Sequence, residues 1–276
     1  MSMARRSGTF ALLGCIAAAG LFCRAQEASR DDKTVQQVSR LIQKLEKIEE
    51  KIENHGVNDG KAEEYVSALV ALGQPAVPVL RAILNDTNRP GRIRAYVVEA
   101  LGGMHSTEVE PDLLAALRDK NGWVRTEACN ALRHCKPDPK SAVPALIAVL
   151  GDEINSARQS AAWALAEYGA AASPAVPSLT RLLDQDEYVR PAALIALNKI
   201  GFAAKTAVSK IIPLLDNKES DVRSTAAEAL GVLGVGDADS LAALTKALEA
   251  EQKRLGGPIP QEQLITFLSG KASGDL

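Results

Sequence analysis

The residues of this sequence whose types and spacing could do chemistry are five arginines, each followed by an alanine six residues later and a leucine seven residues later. A row of guanidinium groups could hold phosphate or another anion. Acidic residues, however, precede most of these arginines at a nearly constant distance, as in Asp119–Arg125 and Asp184–Arg190. Because arginine and carboxylate form strong charge-assisted hydrogen bonds, we expect a structural ladder rather than a ligand site. Its members are Arg94, Arg125, Arg158, Arg190 and Arg223; the other expected acidic partners are Asp152 for Arg158 and Asp216 for Arg223.

Cysteine and histidine form no catalytic or metal-binding pattern. Cys129 and Cys135 lie six residues apart in one helical segment, where their Cα atoms are about 9 Å apart and beyond disulfide reach. The three histidines have no ligand at metal-binding spacing, and no HExxH, CxxC, glycine-rich phosphate loop or Gly-x-Ser-x-Gly motif occurs. We therefore expect buried free thiols, no metal or other cofactor, and no catalysis.

The arginine segments are copies of one repeat, and this repeat predicts the helices on which the arginines lie. Their leucines recur every 29 to 33 residues, and a degenerate first copy has Tyr65 where the arginine should be. The apolar positions have a period near 3.6, which predicts a helix. Between the copies lie proline-containing segments such as Pro174–Leu179, in which we expect the proline in the first turn of a second helix. Each unit is thus a pair of antiparallel helices that buries its apolar faces by stacking on its neighbours. The repeated leucines are Leu72, Leu101, Leu132, Leu165, Leu197 and Leu230.

The copy that runs from Asp216 through Val222-Arg223, Ala226-Ala227 and Leu230 to Gly234 resembles the HEAT repeats of the short, phycobilisome-lyase-like kind. The resemblance covers about residues 62–236. It implies an all-α fold, an α-solenoid of about six stacked two-helix repeats with a terminal capping helix. It also implies that the arginine ties the turn between the helices to its neighbour, and that the second helix of each pair lines the concave face. HEAT-like di-iron hydroxylases bind metal through His-Glu dipeptides, and this sequence has none.

The segments outside the repeats predict the remaining organisation. Residues 1–25 combine two arginines near the start with an uncharged run over 7–22, which is typical of a secretory signal peptide; a retained membrane anchor and a lipoprotein are the alternatives. We assign 26–61 to an N-terminal helix that caps the array or begins its first unit, and a short coiled-coil seam remains possible there. Residues 237–256 are assigned to a capping helix, and 257–276 to a flexible tail.

Charge and composition limit the partners. The apolar fraction of 46% and the charged fraction of 24% are those of a globular protein. Without residues 1–25 the chain has 29 basic and 34 acidic residues, a net charge of −5. A nucleic-acid-binding surface is normally basic, so we expect no nucleic acid partner. Contact with a membrane is expected only through residues 1–25, if they are retained.

The expected working surface is an outward stripe on the second helices. Positions two, five and nine after each ladder arginine share one helix face, which we call the second-helix stripe. Trp163 and Ile195 are large apolar residues at positions where other copies carry glutamate or asparagine. We predict a partner-binding patch centred on these two residues, although burial in a broad contact between helices would explain both equally well. The rim of this patch would consist of Tyr96, Asn130, His134 and Glu167.

Two functions follow as hypotheses. The first is an exported, periplasmic or secreted scaffold that binds a protein or peptide through its concave face and has no catalysis of its own. The alternative is a lyase-like or other enzyme, or an accessory subunit, with its site in the groove. An enzyme would require titratable groups with shifted pKa values to cluster in that groove.

Overall fold

The computed structural model describes residues 32–52, 60–185, 187–234 and 236–255, and within them every regular element is a helix. The signal segment 1–25 and the tail 257–276 lie outside the described residues. The thirteen α-helices in these ranges are α1 (32–52), α2 (Lys61–Ala71), α3 (Val77–Asn85), α4 (Gly91–Gly103), α5 (Glu110–Ala116), α6 (Gly122–Cys135), α7 (Pro139–Val149), α8 (Asn155–Tyr168), α9 (Val176–Gln185), α10 (Arg190–Ile200), α11 (Val208–Ile211), α12 (Ser220–Leu233) and α13 (Ala238–Leu255).

Two compact units divide the chain, one up to Ile93 and one from Arg94 onward. In the first unit, Lys44 of α1 lies over the ring of Tyr65 on α2, 4.9 Å from its centroid. A cation–π contact therefore stands at the position where later copies have the ladder arginine. The guanidinium of Arg89 forms an ion pair of 2.7 Å with Glu46 and joins the end of α3 to α1.

The second unit is a stack of helix pairs. The even-numbered helices α6, α8, α10 and α12 pack against one another in order, and the preceding helix or 3-10 segment of each pair packs beside them. The repeated leucines from Leu101 to Leu230 are all at most 1% exposed, and most alanines of these helices are buried too. Small side chains let the helix backbones approach closely, while the leucines fill the layer between them. The predicted all-α solenoid of HEAT-like repeats is confirmed.

Proline occupies two positions that differ from expectation. Pro144 lies inside α7 rather than in its first turn, because the helix begins earlier, where the Asp138 carboxylate accepts a hydrogen bond from the backbone N–H of Lys140. Pro213 follows a break, since α11 ends at Ile211 and a 3-10 helix continues over Ile212–Asp216. Proline has no N–H for an α-helical hydrogen bond, and the chain satisfies this constraint by tightening to the 3-10 form.

The helices α4, α6, α8 and α10 are each followed, within two residues, by a residue with positive φ. After α8 and α10 it is glycine, at Gly169 (φ 52°, ψ −132°) and Gly201 (φ 75°, ψ −148°), in a region that other residues almost never adopt. After α4 and α6 it is His105 (φ 48°) and Lys136 (φ 46°), and Lys136, with ψ 60°, is left-handed helical. Residues with a Cβ adopt a positive φ less readily than glycine, so these two ends carry backbone strain.

The helix α13 closes the described part of the stack. It packs against α12 and against the 3-10 segment that precedes α12. No single helix of the described ranges has the length and apolar character to cross a membrane, although α2 and the segment Gln74–Asn85 meet these criteria together, as a pair bent by 103°.

Candidate partner-binding surface

Four of the ladder arginines bind a backbone carbonyl of the segment that precedes their own helix. Arg125 donates to the backbone carbonyl of Asp119 (2.8 Å) and Arg158 to that of Asp152 (2.6 Å). Arg223 bonds the carbonyl of Asn217 in the same way, and Arg190 bonds that of Leu183. Each guanidinium thus ties the start of an even-numbered helix to the end of the helix before it.

Three ladder arginines, Arg94, Arg125 and Arg223, reach forward to a carboxylate of the next repeat or of α13. Arg94, only 1% exposed, binds the Asp119 carboxylate. Arg125 binds the Asp152 carboxylate, with 2.7 Å between Nη2 and Oδ1, and Arg223 binds Glu251 of α13 at 3.3 Å. Burial alone would raise the pKa of Asp152, but the hydrogen bonds from Arg125 and from the Ile154 N–H outweigh it and lower that pKa.

These pairs correct the ones expected from the sequence. The Asp119 and Asp152 carboxylates bind the arginine of the preceding repeat, whereas the arginine six residues later folds back to the backbone carbonyl. Asp184 forms an exposed ion pair with Lys210 at 2.6 Å, and Arg190 bonds a carbonyl instead. A carboxylate in the turn faces the neighbouring repeat, so its partner is 25 or 27 residues away in the chain and not six.

The second-helix stripe is largely solvent-accessible. Its last position in each helix is exposed at His134, Glu167, Lys199 and Val232. Trp163, Ile195, Tyr96 and Asn130 are half-buried, so the centre of the patch is neither fully exposed nor part of the core. Ala192 departs from the stripe, since only 1% of its surface is exposed. Asn130, Trp163 and Ile195 hold the same register position on the packed helices α6, α8 and α10, which places them in one row.

Charged residues of α6 surround Trp163. The Arg133 guanidinium lies over the indole ring at 5.1 Å from its centroid. Glu167, one turn after Trp163, forms ion pairs with Lys136 (3.0 Å) and Arg133 (3.8 Å). The hydrogen bond from Lys136 lowers the pKa of the Glu167 carboxyl. Arg133 and Lys136 thus hold the orientation of the indole and the carboxylate on α8, and the sequence pattern alone does not show this arrangement.

A cavity of about 330 Å³ opens between α4 and α6, beside the predicted patch. Gly102, Gly103 and Ala131 provide its apolar part. The remaining lining consists of carboxylates, imidazoles and one amide, from Glu99, Glu127, His105, His134 and Asn130.

Neither thiol belongs to the second-helix stripe. Cys129 is fully buried, and Cys135 is half-buried and donates to the Gly102 carbonyl at 3.4 Å. Burial raises the pKa of both thiols. Among the residues that the structure describes, no three of the types His, Cys, Asp and Glu converge as a metal site.

Exposed aromatic residues at the turns were not predicted from the sequence. Trp123 and Tyr188 are 54% and 53% exposed, and each lies two residues before a ladder arginine. Phe202, directly after α10, is 67% exposed. The position two residues before the arginine is polar in the other copies, and this contrast is the sequence signal that could have identified Trp123 and Tyr188.

Comparisons with known proteins agree with this architecture. A family model of HEAT repeats matches residues 77–138, 135–198 and 176–255, more than half of the chain. A crystal structure of an engineered protein is similar with a TM-score of 0.52 and 22% identity, over 70% of this chain and 95% of that one. A second engineered protein has a TM-score of 0.50 and 23% identity, over 76% of this chain and 57% of its own.

A weaker likeness links the chain to the complex of CpcE and CpcF of phycocyanin lyase from Nostoc sp. PCC7120. The TM-score is 0.43 and the identity 22%, over 74% of this chain and 87% of that one. No match was found among curated proteins. At these identities the solved structures concern the fold alone. The family model, together with the buried leucine repeat, shows that the chain belongs to the HEAT-repeat family.

Proposed function

We propose that this protein is an exported, non-catalytic HEAT-repeat scaffold that binds a protein or peptide through its second-helix stripe. The observation that carries the proposal is the row of α6, α8 and α10 in which half-buried Trp163 and Ile195 are flanked by exposed charged residues. HEAT repeats generally mediate protein interactions, and interfaces commonly combine aromatic anchors with a polar rim.

The contacts of Trp163 favour a protein partner. Arg133 covers one face of the indole and is itself held near Glu167, so the ring loses little side-chain freedom when a partner covers its remaining exposed part. An anchor whose orientation is already fixed binds at a lower entropic cost. The rim carries a negative charge at Glu167 and a positive charge at Lys199. An extended partner with complementary charges would therefore bind in one orientation along the stripe.

The remaining parts of the proposal depend on the sequence. Residues 1–25, which lie outside the described ranges, have the pattern of a secretory signal. The charge of −5 on the rest of the chain disfavours a phosphate-backbone partner.

Site-specific crosslinking in the native host tests the proposal. A photoreactive amino acid at Lys199, an exposed stripe position on α10, should give discrete crosslinked species that mass spectrometry identifies as protein. The matched control is Arg181, an exposed position on α9 of the same helix pair, which should give none. The absence of crosslinks at position 199, or the same species from both positions, would contradict the proposed surface.

A further inference from the structure

The cavity between α4 and α6 exists because α4 ends in two glycines. At the corresponding positions α6 has Arg133 and His134, and α8 has Ala166 and Glu167. A Cβ added to Gly102 would lie 2.5 Å from the Ala131 Cβ, so the two helices are already in contact there. The glycines leave space above this contact and make the floor of the cavity apolar.

Charges are distributed unevenly around this floor. Each glutamate precedes a histidine of the cavity by about two turns, since His105 follows Glu99 by six residues and His134 follows Glu127 by seven. The Asn130 amide donates to Glu127 at 3.2 Å. Burial raises the pKa of Glu127, and this hydrogen bond offsets only part of the effect. A half-buried carboxylate in this state is stabilised by a cation.

His105 lies at the rim, two residues after the end of α4, with a positive φ of 48°. The cavity therefore has two imidazoles at one end, from His134 on α6 and from His105 just after α4, and a carboxylate from each helix at the other. This arrangement fits a ligand with a cationic head and an apolar stem, since the head can reach the carboxylates while the stem lies on glycine and alanine.

We propose that the cavity between α4 and α6 binds a basic side chain of the partner, an arginine, with its guanidinium between Glu99 and Glu127. Arginine suits this arrangement better than lysine because its planar fork can donate to two carboxylates at once. The alkyl stem of the arginine covers Gly102 and Ala131. This assignment rests on the proposed function, because it names a side chain of the partner that the stripe binds.

The test uses the full chain and Nα-acetyl-L-arginine amide as the probe, with the neutral isostere Nα-acetyl-L-citrulline amide as its control. The imidazole resonances of His105 and His134 are followed by NMR and assigned with single His→Gln variants. The arginine amide should shift both resonances saturably, and the citrulline amide should shift neither at the same concentration. The corresponding lysine amide should bind at least about threefold more weakly.

Variants locate the site. Glu99→Gln and Glu127→Gln should each weaken binding of the arginine amide at least fivefold. Gly103→Leu, which fills the cavity and leaves both carboxylates in place, should abolish binding. Glu228→Gln is the matched control because Glu228, on α12, has the register position of Glu99 and is half-buried like Glu127; it should leave binding unchanged. Melting curves confirm that each variant is folded before titration.

Several outcomes overturn the inference. Equal shifts with the citrulline amide, unchanged affinity in a folded Glu99→Gln/Glu127→Gln variant, or an equal loss in Glu228→Gln would each do so. If crosslinks form at Lys199 but the arginine amide does not bind, the pocket assignment fails and the proposed function stands. If the amide binds but no protein crosslinks to the stripe, the pocket is a site for small cations. In that case both the proposed function and the assignment of the pocket to a partner's arginine are wrong.

Discussion

Arg125 on α6 binds the carboxylate of Asp152, in the turn before α8, through two guanidinium nitrogens. The side chains are 12% and 7% exposed, so the pair is largely shielded from water. Two repeats that already share an apolar interface are therefore joined by charge-assisted hydrogen bonds at its edge.

Asp152→Asn tests the contribution of this pair. At neutral pH the variant should lower the free energy of unfolding by about 3 kcal/mol, because it removes the buried carboxylate partner of Arg125 and leaves only the exposed Glu153, 3.6 Å away, as a countercharge. The pKa of Asp152 is lowered from its ordinary 3.8 in the fold. Its contribution is therefore present above pH 3.8 and is lost as the pH falls through the lower, folded value.

Urea denaturation between pH 7 and pH 3 measures this dependence. The difference between wild type and Asp152→Asn should be constant near neutrality and shrink below about pH 4. Asp184→Asn removes the exposed ion pair with Lys210 and serves as the control, with an expected loss of less than about 1 kcal/mol. A difference that grows on acidification would contradict the assignment.

Gly102→Ala tests the close approach of α4 and α6. The new Cβ would lie 2.5 Å from that of Ala131, so the helices must separate, and we expect a loss of about 1–3 kcal/mol in stability. Gly151→Ala is the control, because its nearest added contact is an ordinary 3.6 Å from the Ala148 carbonyl. Calorimetry should find this variant close to wild type. Equal melting temperatures for all three proteins would mean that the two helices are further apart.

Leu165→Ala tests the register of the repeat. Leu165 has no exposed surface, and its truncation should cost about 2–5 kcal/mol, as for other large-to-small changes in a core. Leu241 on α13 is 66% exposed, so Leu241→Ala should change stability by less than about 0.5 kcal/mol. Chemical denaturation of both variants makes the comparison, and a small loss for Leu165→Ala would place the leucine outside the core.

Trp163→Ala tests the anchor of the proposed surface. Affinity for the crosslinked partner should fall by at least about 2 kcal/mol. Stability should also fall, by about 1–2 kcal/mol, because the half-buried indole packs beneath Arg133. Trp123→Ala, at a turn, should leave affinity unchanged. Titration calorimetry at a temperature where all forms are folded separates the two effects, and unchanged affinity in Trp163→Ala would exclude this tryptophan from the interface.

Processing at the N-terminus tests export. The protein isolated from the envelope fraction or the medium should begin at Gln26, because cleavage is expected after Ala25. Intact-mass spectrometry of endogenous protein measures this directly. Recovery of the full-length chain only after detergent extraction would instead support a retained anchor.

The periodic features of the sequence were sufficient to predict the fold. The leucines and alanines recur at constant spacing, and such a pattern specifies helices that stack on their neighbours. The partners of the arginines were not predictable in the same way. Asp119 is nearer to Arg125 in sequence, yet its carboxylate binds Arg94, because the geometry between repeats decides which groups meet. Pro144 shows the same limit, since an earlier cap extends its helix.

The sequence predicted which residues lie on the candidate surface, but it did not predict which side chains they contact. Counting positions placed Trp163 and Ile195 on the stripe, whereas the position of Arg133 over the indole depends on how α6 and α8 pack. The cavity at Gly102 and Gly103 depends on the distance between α4 and α6, which are separated by 18 residues of the chain. A local pattern of residue types specifies neither the position of Arg133 nor the distance between these helices.

The arginine ladder has a polarity. Each arginine of the series Arg94, Arg125 and Arg223 depends on a carboxylate that follows it in the chain, and Glu251 of α13 is the last. Removal of repeats from the C-terminal side therefore leaves a shielded cation behind, whereas removal from the N-terminal side leaves only a carboxylate in a turn. A repeat grafted directly after Arg94, Arg125 or Arg223 must therefore bring an acid for that arginine, and an array that ends on such an arginine needs an acidic terminator of the kind that Glu251 provides.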